Sequence, residues 1–488
     1  MTTDAARSAL RDPRGSRGVD LLRVPLLGRF LRLRRARLVA QTAMGLLALL
    51  LVLHGLLGPE LAPKNLATLL VWVHWRGALV FGLLLLGNVF CFGCPLLLPR
   101  EIARRLTSPV RRLPGALRNK WTGIALLVGV LFTYEWLDLW ASPRATAIAI
   151  LAYFAVALLV DAFFAGAPFC KWICPVGQFN FVASTFSPFE VRAKDRSTCE
   201  GCATKDCIKG RREPAAGGEE RIVQRGCELA LYVPSKVGNL DCTFCMDCVH
   251  ACPHDNVEVG SRVPADELAL DPVRSGVGRI TKRVDLAALV VVFAFGALLN
   301  AFGMVGPVFD LQRWMAEQLG TRSEGVVLAI LFVAALVVVP AIVLGAASLA
   351  VARTTGAAPF RHVVRFAYSL APIGFGVWLA HYSFHFLTGL WTFVPVAQLA
   401  ARDSGLTFLG KPDWGMGGLS EAAVWPIEIG FLALGTLGSI ALTWRLAQRD
   451  FADAPARAFV PWFLVHASIL GAALWLLAQP MEMRGTYL

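Results

Sequence analysis

Eight of the chain's twelve cysteines fall between Cys199 and Cys252. Cys242, Cys245 and Cys248 follow one another at three-residue steps, and Cys252 then precedes Pro253. A cubane iron–sulfur cluster needs four thiolates around a compact cage. A Cys-x-x-Cys-x-x-Cys loop wraps three of them around one cube, while the Cys-Pro sulfur of such a run reaches a second cluster. Cys199, Cys202 and Cys207, with Cys227 downstream, form a looser upstream copy. One [4Fe–4S] cluster is therefore expected on Cys199, Cys202, Cys207 and Cys252, and a second on Cys242, Cys245, Cys248 and Cys227. Zinc also accepts four thiolates, commonly as two Cys-x-x-Cys pairs. Three cysteines at successive steps, closed by Cys-Pro, favour the clusters.

The other four cysteines form an internal repeat. Phe90-Cys91-Phe-Gly-Cys94-Pro95 and Phe169-Cys170-Lys-Trp-Ile-Cys174-Pro175 each close an apolar hairpin. Cys91, Cys94, Cys170 and Cys174 suit a further redox centre, a pair of dithiol switches, or plain shaping of helix ends. Histidines make a second pattern. His54, His74, His381 and His385 fall in apolar segments, the last two at i,i+4, and His466 lies in the last apolar segment. Ionisable groups inside a membrane are costly and point to function by default. These imidazoles are expected to ligate b-type haem or a metal, to bond a quinone headgroup, or to pack as hydrogen-bonded structure. Glu135, Asp138 and Glu428 are expected to pair with Arg76 or to carry protons. Met481 and Met483 are expected to be interfacial packing rather than copper ligands.

Such groups need a scaffold, and the composition says which. The chain has 488 residues, of which 56% are hydrophobic and 17% charged, where soluble domains carry about 25% charged residues. The apolar residues gather into about nine stretches of about 20 residues, each long enough to cross a bilayer core of roughly 30 Å. They run near 38–58, 68–90, 121–140, 145–168, 284–306, 325–351, 366–389, 423–445 and 458–478. Connections 95–120, 352–365 and 445–457 are rich in arginine. Positive charge marks the cytoplasmic side, so the N-terminus and the cysteine stretch are expected there. The net charge of +13 clusters beside apolar spans, which reads as topology and anionic-lipid contact rather than nucleic-acid binding. The expected fold is an all-α polytopic membrane protein of about nine transmembrane helices carrying a small inserted α+β domain of the bacterial two-cluster ferredoxin type. Its expected divisions are a cytoplasmic basic arm (1–37), a four-helix module with both Cys-Pro motifs (38–189), the cluster domain (190–282) and a five-helix module (283–488).

Phe169-Cys-Lys-Trp-Ile-Cys-Pro-Val-Gly177 resembles the Cys-x3-Cys-Pro signature of membrane-bound polyferredoxins, the NapH/NosR/CcoG-like proteins of nitrate and nitrous oxide respiration and oxidase assembly. The resemblance covers roughly residues 40–255. It implies electron transfer at a bacterial cytoplasmic (inner) membrane, and it carries the two Cys-Pro motifs onto Cys91/Cys94 and Cys170/Cys174. The first motif is one residue short of the usual form, and spans five to nine lie beyond the family core. The chain is thus expected to pass electrons between a quinone pool, or a soluble ferredoxin or flavodoxin, and a partner oxidoreductase in a respiratory or photosynthetic chain. Lys194, Lys205, Lys209, Arg211 and Arg212 are placed to steer an acidic carrier or to remain solvated charge. A different class of reading is an assembly factor that reduces copper or thiols while another complex is built. A third is redox-coupled transport.

Overall fold

A computed structural model describes residues 18–106, 109, 111–214, 220–356 and 358–481. The first 17 residues of the basic arm and Met483 lie outside the described residues. Lipid offers backbone groups no hydrogen-bond partner, so long apolar runs become helices, which satisfy those groups internally. Among the described residues, eight helices have the length and apolarity to cross a membrane. They are α1 (Ala36–Leu57), α2 (Leu66–Leu86), α4 (Pro143–Phe163), α5 (Val284–Phe302), α6 (Glu324–Thr355), α7 (Pro359–Thr388), α8 (Glu421–Asp450) and α9 (Pro455–Leu477). The chain is a multi-pass membrane protein. The third expected span is shorter: α3 (Trp121–Trp136) has 16 residues, about 24 Å of rise. It stops where Asp138 turns the backbone to a φ of 42°. The connections after α5 and α7 hold two helices that no apolar run announces, Gly306–Leu319 and Phe393–Asp403.

Helix α7 is the axis of the membrane region. It packs on α5 and α8 and also meets α2 of the N-terminal group, and 89% of its apolar window is buried, against 22% for α1. Glycine permits the tight α7–α8 crossing. A Cβ on Gly376 would lie 2.8 Å from the Phe431 carbonyl oxygen, and one on Gly435 2.7 Å from that of Pro372. Small residues at a crossing let backbones approach where no hydrophobic force drives association.

The cysteine-rich α+β insert spans about residues 189–261. Strands β1 (Phe189–Ala193) and β4 (Val257–Ser261) pair antiparallel, with Val191 opposite Val259, and β2 (Arg211–Pro214) pairs with β3 (Glu220–Gln224). Val191, Val257 and Val259 are buried. The insert borrows its core: one apolar cluster runs from Val191, Leu229 and Leu231 through Leu289 and Phe293 of α5. The described part of the basic arm is docked at a few residues, while Arg23, Arg29, Arg34 and Arg35 stay exposed. Asp20 accepts from the Leu22 and Val259 backbone N–H groups at 3.0 and 3.2 Å. Arg32 pairs with Asp255 at 3.0 Å and Arg37 with Asp247 at 3.1 Å.

Candidate metal centres

All twelve cysteines are unpaired, in spaced groups compatible with iron–sulfur clusters. Eight of them line two separate cavities. The first is walled by Cys199, Cys202, Cys207 and Cys252 with Tyr232 and Asn256. The second is walled by Cys227, Cys242, Cys245 and Cys248 with Lys236, Phe244 and Met246. The first cavity is assembled from caps and short helices. Asp195 accepts from the Ser197 and Thr198 backbone N–H groups at 3.1 and 2.9 Å and starts the helix Arg196–Glu200 that carries Cys199. Those bonds, with the two hydroxyls, hold its carboxyl well below the usual range. Asn256 donates its side-chain amide to Cys199 Sγ at 3.2 Å and its backbone N–H to Cys252 Sγ at 3.4 Å.

Around the second cavity the backbone is forced into the left-handed region at Asp241, Phe244 and Met246, with φ of 62°, 52° and 61°. A non-glycine residue resists this conformation, and such strain gathers at functional sites. Here it coils the chain tightly between Cys242, Cys245 and Cys248. Asn88 donates to the Cys242 carbonyl at 3.0 Å across 154 residues of sequence. Buried Lys120 reaches Asp241 at 2.6 Å, and Lys171 donates to the Leu229 carbonyl at 2.5 Å.

The thiols differ between the cavities. Burial pushes Cys227 up to about 11 and Cys245 and Cys248 well above the usual thiol value. In the first cavity burial lifts Cys207 to about 11, but the Lys205 backbone N–H lowers Cys202. A bound metal centre supplies the positive charge that keeps such thiols deprotonated. A four-thiolate zinc site, with Zn–S bonds of about 2.3 Å, closes its sulfurs to roughly 4 Å from one another. No group of three or more His, Cys, Asp or Glu side chains among the described residues is arranged to hold a single metal ion. The two open four-cysteine cavities, with Asn256 donating to two sulfurs of the first, are compatible with iron–sulfur clusters.

The four membrane-edge cysteines share one neighbourhood, within electrostatic reach of each other. Cys170 rides on a π-helical turn, Phe169–Ile173. Cys174 Sγ accepts from the Gly177 N–H at 3.1 Å and lies 3.5 Å from the Tyr153 hydroxyl. Asn180 donates to Cys91 Sγ at 3.5 Å and to Asn88 Oδ1 at 3.3 Å. Asn88 in turn holds Cys242, so buried amides join this group to the second cavity.

The histidines divide. His54 Nδ1 accepts from the Leu66 N–H at 3.2 Å, and both His74 nitrogens face backbone carbonyls at 3.2 and 3.0 Å. His466 Nε2 meets Thr443 and Ser369 hydroxyls at 2.8 and 3.2 Å. Among the described residues, neither His381 ring nitrogen has a partner, and His385 Nε2 and His466 Nδ1 are likewise buried without one. Arg76 lies in a box of rings, 4.1 Å from the centroid of Tyr134, 4.6 Å from Trp72 and 5.2 Å from Tyr382, and within electrostatic reach of Glu135. Of the surface cations, Lys194 pairs with Asp255 at 3.1 Å, Arg212 with Glu220 at 3.5 Å and Arg211 with Glu213 at 4.0 Å.

Sequence reasoning missed Asn88, Asn180 and Asn256, the Lys120–Asp241 pair, and the lock formed by Arg100 and Arg104 on Glu228 at 2.7 and 2.5 Å. The signal for the first two is an amide among apolar residues beside each Cys-Pro motif.

No protein-family model matches the chain, and no solved structure does. An uncharacterized protein of Methanocaldococcus jannaschii is 28% identical over 103 residues, 21% of this chain and 34% of the relative. The Escherichia coli protein named "Putative electron transport protein YccM" is 31% identical over 98 residues, 20% of this chain and 22% of the relative. The matched stretches thus span about a third or less of each relative's length, and the likeness is distant and partial.

Proposed function

We propose that this chain is a membrane-anchored iron–sulfur electron-transfer protein, with Cys199, Cys202, Cys207 and Cys252 holding one [4Fe–4S] cluster and Cys227, Cys242, Cys245 and Cys248 the other. The observation that carries this is the gathering of eight unpaired cysteines, four and four, around two cavities in one insert. The partial similarity to a protein named for electron transport supports it. Bound clusters would supply one-electron redox chemistry there. The chain's own residues do the rest. Asn256 donates to two sulfurs of the first site, Lys120 and Arg37 set fixed charge beside the second, and Arg100 clamps the insert to the membrane helices. The arginine-rich connections put the insert on the cytoplasmic face, where a soluble carrier meets the first site and a partner oxidoreductase completes the path. Low-temperature paramagnetic resonance of the anaerobically reduced protein, with an iron and acid-labile sulfide count, tests this. Two interacting cubane signals are expected. Zinc in place of iron sinks the proposal.

One observation favours a second reading, the assembly factor that reduces copper or thiols. Cys91, Cys94, Cys170 and Cys174 share one neighbourhood, and Cys91 is tied to Cys242 through Asn180 and Asn88. Reduction of Cu(II) by the reduced protein, independent of quinol and lost in Cys91→Ser with Cys174→Ser, would establish it.

A further inference from the structure

The surroundings of the second four-cysteine cavity carry more positive charge than their own carboxylates balance. Lys236 lines the cavity itself. Its ammonium donates to the Val191 carbonyl at 2.8 Å and to that of Gly238, and it is within electrostatic reach of Cys248. Lys120 and Lys171 stand behind the cavity. Lys120 is wholly buried, reaches Asp241 Oδ1 at 2.6 Å and donates to the Lys171 carbonyl at 2.7 Å. Lys171 is 6% exposed, lies 4.0 Å from Asp241 Oδ2 and is within electrostatic reach of Cys227. The centroid of the Trp172 ring is 5.1 Å from each of these two ammoniums. Other charges nearby meet partners of their own. Arg283 holds Asp285 at 2.7 Å, Arg37 holds Asp247 at 3.1 Å, and Arg100 and Arg104 are met by Glu228 and Asp161. Among the described residues, Asp241 is the one carboxylate paired with any of the three lysines.

A buried charge without an opposite partner is costly, so three ammoniums gathered on one carboxylate call for further negative charge nearby. Thiolates in the cavity supply it. The first cavity has no such surplus. Of its lining residues, Lys205 is exposed and Asp206 follows it in the chain, while Lys194 is paired with Asp255. Solvent and salt also screen exposed charge. We propose that Lys120, Lys171 and Lys236 are a built-in countercharge to the second site, making it the more readily reduced of the two and the place where an incoming electron settles. This rests on the cluster reading and deepens it by ranking the two sites. The lysines act by their field and ligate nothing. Positive charge held beside a redox centre favours the state with one more electron, the more so in a low dielectric. Exposure and the Asn256 bonds to sulfur act in the same direction at the first site, but with partial charges, whereas the lysines bring whole ones. Lys120 is a positioning residue besides. Its backbone N–H donates to Asp285 at 2.9 Å while its ammonium holds the residue before Cys242. Only the charge role moves a potential.

The test is a potentiometric titration of the anaerobically prepared full chain in lipid nanodiscs, read by paramagnetic resonance, with iron counted on every sample. Two midpoints are expected. Lys171→Met, which keeps the length of the side chain and removes its charge, should lower the higher midpoint by about 59 mV or more, roughly a tenfold change in a one-electron equilibrium. The lower midpoint should stay in place. Lys236→Met, at a half-buried position, should act in the same direction and decides the matter if Lys171→Met loses iron. Asp241→Asn should raise the same midpoint, since asparagine tolerates the left-handed backbone there and leaves the lysines unopposed. Lys171→Arg, which keeps the charge, should stay close to the parent. A merely structural role would move the lysine and aspartate variants alike. Unmoved midpoints in variants that keep the parent's iron overturn the proposal and leave the cluster reading standing. Movement of the lower midpoint in place of the higher does the same. Zinc in place of iron overturns both.

Discussion

The two four-cysteine cavities are alike in their cysteines and opposite in setting. The first is built from short capped helices on the outer part of the insert, and one of its sulfurs, Cys202, is stabilised by a backbone N–H rather than penalised by burial. The second lies against membrane helices, held by Asn88 of the first Cys-Pro hairpin, by Lys120 ahead of α3 and by the docked arm through Arg37 and Asp247. Clusters held there as proposed would differ in potential and in access, since charge, hydrogen bonding to sulfur and exposure set both. Under the proposed function, the outer site would exchange with a soluble carrier and the inner one with the membrane region.

The sharpest way to break this comparison is to remove one ligand from each side. Cys248→Ala should cost about half of the bound iron and loosen the insert from the membrane helices. Cys202→Ala should cost a similar share and leave that contact intact. Iron counts with limited proteolysis of the junctions near residues 188 and 282 separate the two, and equal proteolysis in both variants removes the distinction. Next in size is the clamp. Arg100 is 1% exposed and contacts Glu228, Asp161 and Glu101. Arg100→Ala strands the buried Asp161 carboxylate and leaves Glu228 to Arg104 alone, and breaking such a network costs about 3–5 kcal/mol. Chemical denaturation should show the insert releasing before the membrane helices melt, and an unchanged midpoint would contradict the clamp.

The smallest effect is in pH. Burial alone would raise the Glu101 carboxyl, but hydrogen bonds and charge from Arg225 and Arg100 outweigh it and hold the group below its usual value. The pair's contribution is therefore present above the unfolded carboxylate pKa of about 4.3 and fades as pH falls through the lower folded value. With Glu101 one-third exposed, solvent screening keeps the effect modest. Glu101→Gln should flatten the acid limb of insert stability and leave neutral-pH behaviour close to the parent. An acid limb identical to the parent's would show that this pair contributes nothing.

Much of the architecture was legible because it is written locally. Apolar runs near 38–58 and 284–306 became α1 and α5 within a few residues, since run length alone decides whether a segment can span lipid. The exception, α3, carries an apolar run as long as its neighbours', but its helix ends early at Asp138. The grouping of the eight insert cysteines around two cavities followed their spacing, but their company did not. Nothing around Asn88 announces a partner 154 residues away. The four histidines His54, His74, His381 and His385 look alike in sequence, and only the fold gives the first two backbone partners and leaves both nitrogens of His381 and Nε2 of His385 without one among the described residues.

By itself the sequence determined two things: how many thiolates lie within one loop's reach of each other, and which segments are apolar enough to enter lipid. Both follow from distances along a few consecutive residues. Tertiary structure decided which cysteines face a common cavity, that the insert completes its core on α5, and that α7 buries His381 and His385 within electrostatic reach of Arg76. Those facts depend on groups far apart in the chain being pressed together, and packing of whole helices, not local preference, chooses which of them meet.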